Sequence, residues 1–156
     1  MGDVSIDITH DVCAPIAVTS ATPTVTQTRG IADALTLWRD RGVATIAWYA
    51  DDPAALQLAP PDPIDIQFEE AATASRGLYD DETGVVYIND LITDPTVLRI
   101  VIAHELGHAF GLQHVEGRPS VMNKGNITVE PTVEDETALE ALWGPCVTAA
   151  SAPPGS

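Results

Sequence analysis

His104-Glu105-Leu106-Gly107-His108-Ala109-Phe110-Gly111-Leu112-Gln113-His114 decides the reading of this chain, because it carries three of the four histidines. Asp94-Pro95 stands upstream, an N-cap carboxylate followed by a proline suited to the first helical position. The spacing predicts a helix from Pro95 to about Phe110, stopped by Gly111. At about 3.6 residues per turn, His104 and His108 share one face, one turn apart, with both imidazoles in reach of one ion. Glu105 lies about 100° round the axis from His104. That is too far round for a third ligand, but it suits holding a water bound to the same ion. Gly111 admits a backbone conformation closed to other residues, so the chain can turn and return His114 as the third ligand.

Three neutral nitrogen ligands suit zinc and leave a fourth position open for water, the mark of a catalytic site. Zinc lowers the pKa of such a water towards ~7. Glu105 is expected to take its proton as it attacks a carbonyl, then pass the proton to the leaving amine. The chain therefore reads as a zinc-dependent endopeptidase acting through a zinc-bound water, with Glu105 as general base. Two other readings stay open. One is a zinc-loaded binding module that has lost hydrolysis, against which the presence of Glu105 argues. The other is a nonproteolytic zinc hydrolase of small amides, whose sign would be a closed pocket.

Outward from this segment, residues 3–12 alternate, with Val4, Ile6 and Ile8 apolar, and read as a strand. Residues 14–28 are rich in Ala, Thr and Pro and read as a loop. Ile31, Ala34, Leu35 and Trp38 predict an amphipathic helix from Ile31 to Arg41, ended by Gly42. Val43–Ala50 reads as a buried strand, Asp51–Pro63 as a proline-rich loop and Ile64–Phe68 as a further strand. Ala71–Gly84 reads as a polar connection, and Val85–Ile88 as a short strand. Thr132-Val133-Glu134-Asp135 approximates a capping box, opening a helix to Trp143 that should bury Leu139, Leu142 and Trp143.

The 156 residues suffice for one domain with a core of its own. No apolar run approaches the ~18 residues of a membrane-spanning helix. Twenty-three acids against seven bases give a net charge of −16. Such a field repels phosphate backbones and anionic membranes, so neither nucleic acid nor membrane is an expected partner. A peptide or protein substrate and a monomeric state are expected. Cys13 and Cys146 are the two cysteines. A disulfide between them is expected, with two free thiols as the alternative; the bridge would imply an oxidising, extracellular compartment. No signal peptide is visible, which fits either a cytosolic protein or a secreted mature chain behind an added start; the second is expected.

Residues 104–114 are similar, without a gap, to the metzincin zinc signature HExxHxxGxxH. Ser120-Val121-Met122-Asn123 resembles the metzincin Met-turn, and Leu142-Trp143-Gly144-Pro145 resembles the end of the matrixin C-terminal helix. The chain departs from the matrixin pattern at Val115, where Ser or Thr is usual, and at Asn123-Lys124-Gly125, where a proline is usual. The resemblance implies an α+β metzincin (zincin-like) fold: a mixed, twisted sheet of four or five strands, an active-site helix and a C-terminal helix. It implies one catalytic domain over 1–148, with residues 1–114 forming its upper half, residues 115–148 its lower half, and a tail over 149–156. Met122 would be a hydrophobic floor rather than a ligand. A sheet-edge strand would pair with the substrate, for which Val85, Val86, Tyr87 and Ile88 are the candidates. The pocket for the residue after the cleaved bond would be lined by the helix near His104 and by Arg118 to Asn126. Arg118 and Lys124 read as ordinary surface bases, with a preference for an acidic substrate group as the alternative.

Matrixins also bind a structural zinc and calcium. His10 is the one spare histidine, so a single catalytic zinc is expected. Calcium at Asp80, Asp81 or Glu82 competes with a solvated acidic loop, which the lack of an Asp-x-Asp-x-Asp-Gly spacing favours. Asp11-Val12-Cys13-Ala14-Pro15 does not fit the cysteine switch that keeps matrixins latent.

Overall fold

Short apolar segments gain burial by lining up side by side, and five of them do so here. The computed structural model describes residues 6–49, 62–70 and 76–147. Its strands are β1 (Ile16–Thr19), β2 (Ile46–Tyr49), β3 (Ile64–Glu69), β4 (Gly77–Asp80) and β5 (Val85–Asn89). The helices are α1 (Val25–Arg39), α2 (Pro95–Ala109) and α3 (Val133–Trp143). The sheet order is β2-β1-β3-β5-β4. β1, β2, β3 and β5 run parallel, and β4 is antiparallel to β5. The fold is α+β with a mixed five-stranded sheet, as expected.

β1 corrects the reading of residues 14–28 as loop. Ile16, Ala17 and Val18 are all buried in mid-sheet, and a strand covered on both faces shows no alternation to read. The alternation of residues 3–12 has a different meaning. Ile6 and Ile8 are half-buried while Asp7 and Thr9 are exposed, yet residues 6–11 join no sheet. They are held by Ile8 N–H donating to Asp81 O at 3.0 Å and His10 N–H donating to Ala109 O at 2.8 Å. Residues 3–5 lie outside the described residues, as do Ala50, most of the proline-rich loop, residues 71–75 and the expected tail.

α1 begins six residues before the expected Ile31, because Thr24 and Gln27 form a reciprocal capping box. Trp38 Nε1–H donates to Ala103 O at 2.9 Å and joins α1 to α2. Its ring meets Phe110 edge-on at 5.4 Å. α2 is buried nearly all round, through Leu98, Ile100, Val101, Ile102, Ala103, Leu106 and Ala109, which suits a helix enclosed by the rest of the domain. α3 covers the expected Val133–Trp143 and buries Leu139. Leu142 is 52% exposed, against expectation, and Trp143 is half-buried with Nε1–H donating to Phe110 O at 2.7 Å. The Cys13–Cys146 disulfide is present and ties the loop before β1 to the end of α3.

β4 overturns the expected substrate strand. Val85, Val86, Tyr87 and Ile88 belong to β5, which β3 flanks on one side and β4 on the other. Their backbone groups are committed to those neighbours, and Val86 and Ile88 point into the core. The edge belongs to Gly77–Asp80, inside the stretch read as a polar connection.

Candidate active site

Asp94 caps α2 by accepting from Thr96 N–H at 2.9 Å, with Pro95 in the first turn. The helix ends where Gly111 takes φ +98°, a left-handed conformation that glycine adopts without a Cβ clash. Leu112 N–H then donates back to Gly107 O at 2.9 Å. The chain turns sharply and brings His114 beside the two helical histidines. Ring centroids of His104, His108 and His114 lie 5.0, 5.3 and 4.9 Å apart. One nitrogen from each comes within 4.8 Å of the other two.

The residues fit a metal. His104 Nδ1 and His108 Nδ1 each pair at 2.7 Å with a backbone carbonyl, of Val121 and Leu112 respectively. A carbonyl can only accept, so each Nδ1 carries the hydrogen and each Nε2 presents a lone pair. Outer partners of this kind orient metal-binding imidazoles. Burial lowers the pKa of both rings, and that of His108 to about 4, with neighbouring His104 adding to the shift. Both rings are therefore neutral, ligand-ready bases at neutral pH.

Glu105 is 7% exposed and lies against the edge strand, with Gly77 its close neighbour. Burial raises its carboxyl to about 7, opposed by the backbone N–H of Tyr79. Met122 is fully buried beneath the helix, and a Cβ on Gly107 would overlap its sulfur.

Asp135 supports this floor from α3. Its carboxylate accepts from Ser120 Oγ at 2.6 Å, Val121 N–H at 3.0 Å and Thr132 N–H at 2.9 Å. Arg118 completes the group at 3.2 Å. The capping box is legible in the sequence; that the same carboxylate clamps the Met122 turn, whose Val121 carbonyl orients His104, is not. Arg118 faces this clamp rather than the cleft, which corrects one end of the expected pocket lining.

The three histidines open into a cleft of about 550 Å³. Arg76 to Tyr79 form its upper wall, and Lys124 to Asn126, with Val101 of α2, also line it. Ile6, Arg76, Gly77 and Tyr79 escaped the sequence reading, since Gly-Leu-Tyr-Asp is too short and mixed to announce a strand. Asp80 Oδ1 accepts from Glu82 N–H at 3.0 Å and Asp81 Oδ2 from Asp7 N–H at 2.9 Å. These carboxylates organise the β4–β5 turn and its contact with the N-terminal segment.

The sequence profile of the matrixin peptidases matches residues 48–144. The chain belongs to the matrixin family. It is accordingly a zinc metalloprotease, and a protein or peptide is its substrate. Among solved structures, a zinc-dependent peptidase from Methanocorpusculum labreanum is similar at 16% identity and a TM-score of 0.45, over 78% of this chain and 92% of that one. Comparison with the curated proteins found no match. No helix among the described residues is long and apolar enough to cross a membrane.

Proposed function

We propose that this matrixin is an endopeptidase in which His104, His108 and His114 hold one catalytic zinc and Glu105 is the general base. The observation that carries the reading is the convergence of three imidazoles beside a buried carboxylate, in a cleft bounded by a sheet edge. Zinc, when bound, supplies a Lewis acid that acidifies water and polarises the scissile carbonyl.

The chain's own residues do the rest. The carbonyls of Val121 and Leu112 hold two imidazoles in orientation. Met122 closes the floor against water. The outer edge of β4 presents backbone donors and acceptors to an extended peptide, a strand addition that reads shape more than side chains. Glu105 removes a proton from the attacking water and delivers it to the departing amine nitrogen, leaving a carboxylic acid and an amine. Burial by itself raises its pKa, and a dication held by the histidines would favour the carboxylate that the base step needs. The open cleft favours internal bonds of a long chain, with the β4 edge on one side of it and residues 124–126 also lining it. The Cys13–Cys146 bridge supports a secreted enzyme.

The test is cleavage of a diverse peptide mixture by the zinc-loaded parent and its Glu105→Ala variant, read by mass spectrometry. The parent should cut internal bonds, and the variant should be slower by about 10²–10⁴-fold. Zinc bound at one per chain with no cleavage by either protein would refute the endopeptidase and leave a zinc-loaded binding module.

A further inference from the structure

The chain has seven basic residues, and the structure occupies four of them. Arg39 and Arg41 donate to the carbonyls of Ile46 and Pro131. Arg99 pairs with Glu130 and Arg118 with Asp135. Arg29, Arg76 and Lys124 make no ion pair among the described residues. Two of those three line the cleft over the histidines.

Both are held in place by their backbones. Arg76 O accepts from Asn89 N–H at 2.9 Å, which fixes the entry to β4. Lys124 rides a loop pinned on each side. Asn123 Nδ2 donates to Val115 O and Arg118 O, both at 2.9 Å. Asn126 Nδ2 donates to Val121 O at 3.2 Å and Val129 O at 2.7 Å. The two cations therefore stand in fixed segments of the cleft lining. The net charge of −16 repels an acidic peptide at long range; of the two acids that share the cleft lining, Glu105 is buried and Asp81 accepts from Asp7 N–H. Arg76 and Lys124 are exposed at the cleft wall, where two cations offset that repulsion locally.

From this placement we infer that the cleft selects peptides with acidic residues flanking the scissile bond, with Arg76 and Lys124 as the specificity-determining residues. The inference rests on the peptidase reading for its cleavage consequence, but not for its binding consequence. The carboxylates of such a peptide meet exposed cations, so the preference should weaken with salt.

The probes are two labelled decapeptides, identical except for four central residues that are Glu in one and Gln in the other. Binding to the zinc-loaded Glu105→Ala variant is followed by fluorescence anisotropy at low and high salt, and cleavage by the parent is followed in parallel. The Glu peptide should bind about tenfold tighter at low salt. Adding Arg76→Glu and Lys124→Glu should abolish that ratio. Arg29→Glu, one such reversal at an exposed helical position that does not line the cleft, should keep it. The double reversal leaves the histidines in place, so a preference caused by carboxylate binding to zinc would survive it and overturn the inference. Equal binding of the two peptides would overturn it as well. A binding preference without any cleavage would instead sink the peptidase reading and leave the acidic selectivity standing.

Discussion

At Gly107 a single hydrogen separates a packed floor from a clash. An added Cβ would overlap Met122 Sδ and lie 3.4 Å from Trp38 Cζ2. Gly107→Ala should therefore cost about 1–3 kcal/mol by overpacking, and lower the zinc bound per chain by tilting the helix that carries His104 and His108. Thermal unfolding and metal analysis check both; an unshifted midpoint would mean that Met122 gives way freely. Tyr79 offers a second residue-level test. Its hydroxyl donates to Ile8 O at 2.7 Å, and burial, helped by Asp81 and Asp80, raises its pKa from 10.0 to about 12. A raised folded-state pKa gives stability that is complete below pH 10 and is lost as pH climbs towards 12. Denaturation midpoints across that window should fall more steeply for the parent than for Tyr79→Phe. Parallel curves would remove Tyr79 from the account.

Among the elements, α3 does more than close the domain. Asp135 satisfies its first turn and clamps the Met122 turn in one carboxylate. Asp135→Ala would leave Ser120 Oγ, two backbone N–H groups and the Arg118 guanidinium without it, a loss of roughly 3 kcal/mol. Denaturant unfolding measures this, and the same variant should hold zinc less tightly because Val121 O orients His104. A loss confined to stability would show that the turn keeps its shape without the clamp. Both capping boxes are written in local sequence, Thr24 with Gln27 and Thr132 with Asp135. The second is the one that the residue pattern announces, because an acidic first turn and then Ala138, Leu139, Leu142 and Trp143 at helical spacing follow it; the first hides in a stretch whose Ala, Thr and Pro content suggests a loop. β1 and β4 resisted because β1, buried on both faces, shows no alternation and β4 is short and mixed in composition; pairing across the sheet rather than propensity makes them strands. The misplaced substrate strand follows from the same cause: with β4 unseen, β5 looked like an edge.

For the molecule as a whole, the Cys13–Cys146 bridge joins residues 133 apart. Replacing both with Ser should cost about 3–5 kcal/mol through the entropy regained by the unfolded chain. Unfolding of the parent with and without reductant should reproduce the difference; coincident curves would show a bridge without energetic weight. The cleft is a property of this scale too. It draws Ile6 from the N-terminal segment, Arg76–Tyr79 from the edge strand, Val101 from α2 and Lys124–Asn126 from beyond the Met122 turn.

The sequence by itself determined the three-histidine cluster, the carboxylate beside it and the turn at Gly111; the metzincin resemblance marks Met122, and the cysteine pair stands there as an expectation with free thiols as its alternative. Helical periodicity, a glycine stop and side-chain chemistry are local, and eleven consecutive residues hold nearly all the metal geometry. Only the tertiary structure decided which strand is the edge, that Asp135 reaches the Met122 turn and that Arg76 rather than Arg118 faces the cleft. Those outcomes depend on which segments pack side by side, and strand pairing and buried-charge partners are chosen among residues too distant in the chain for any local pattern to record.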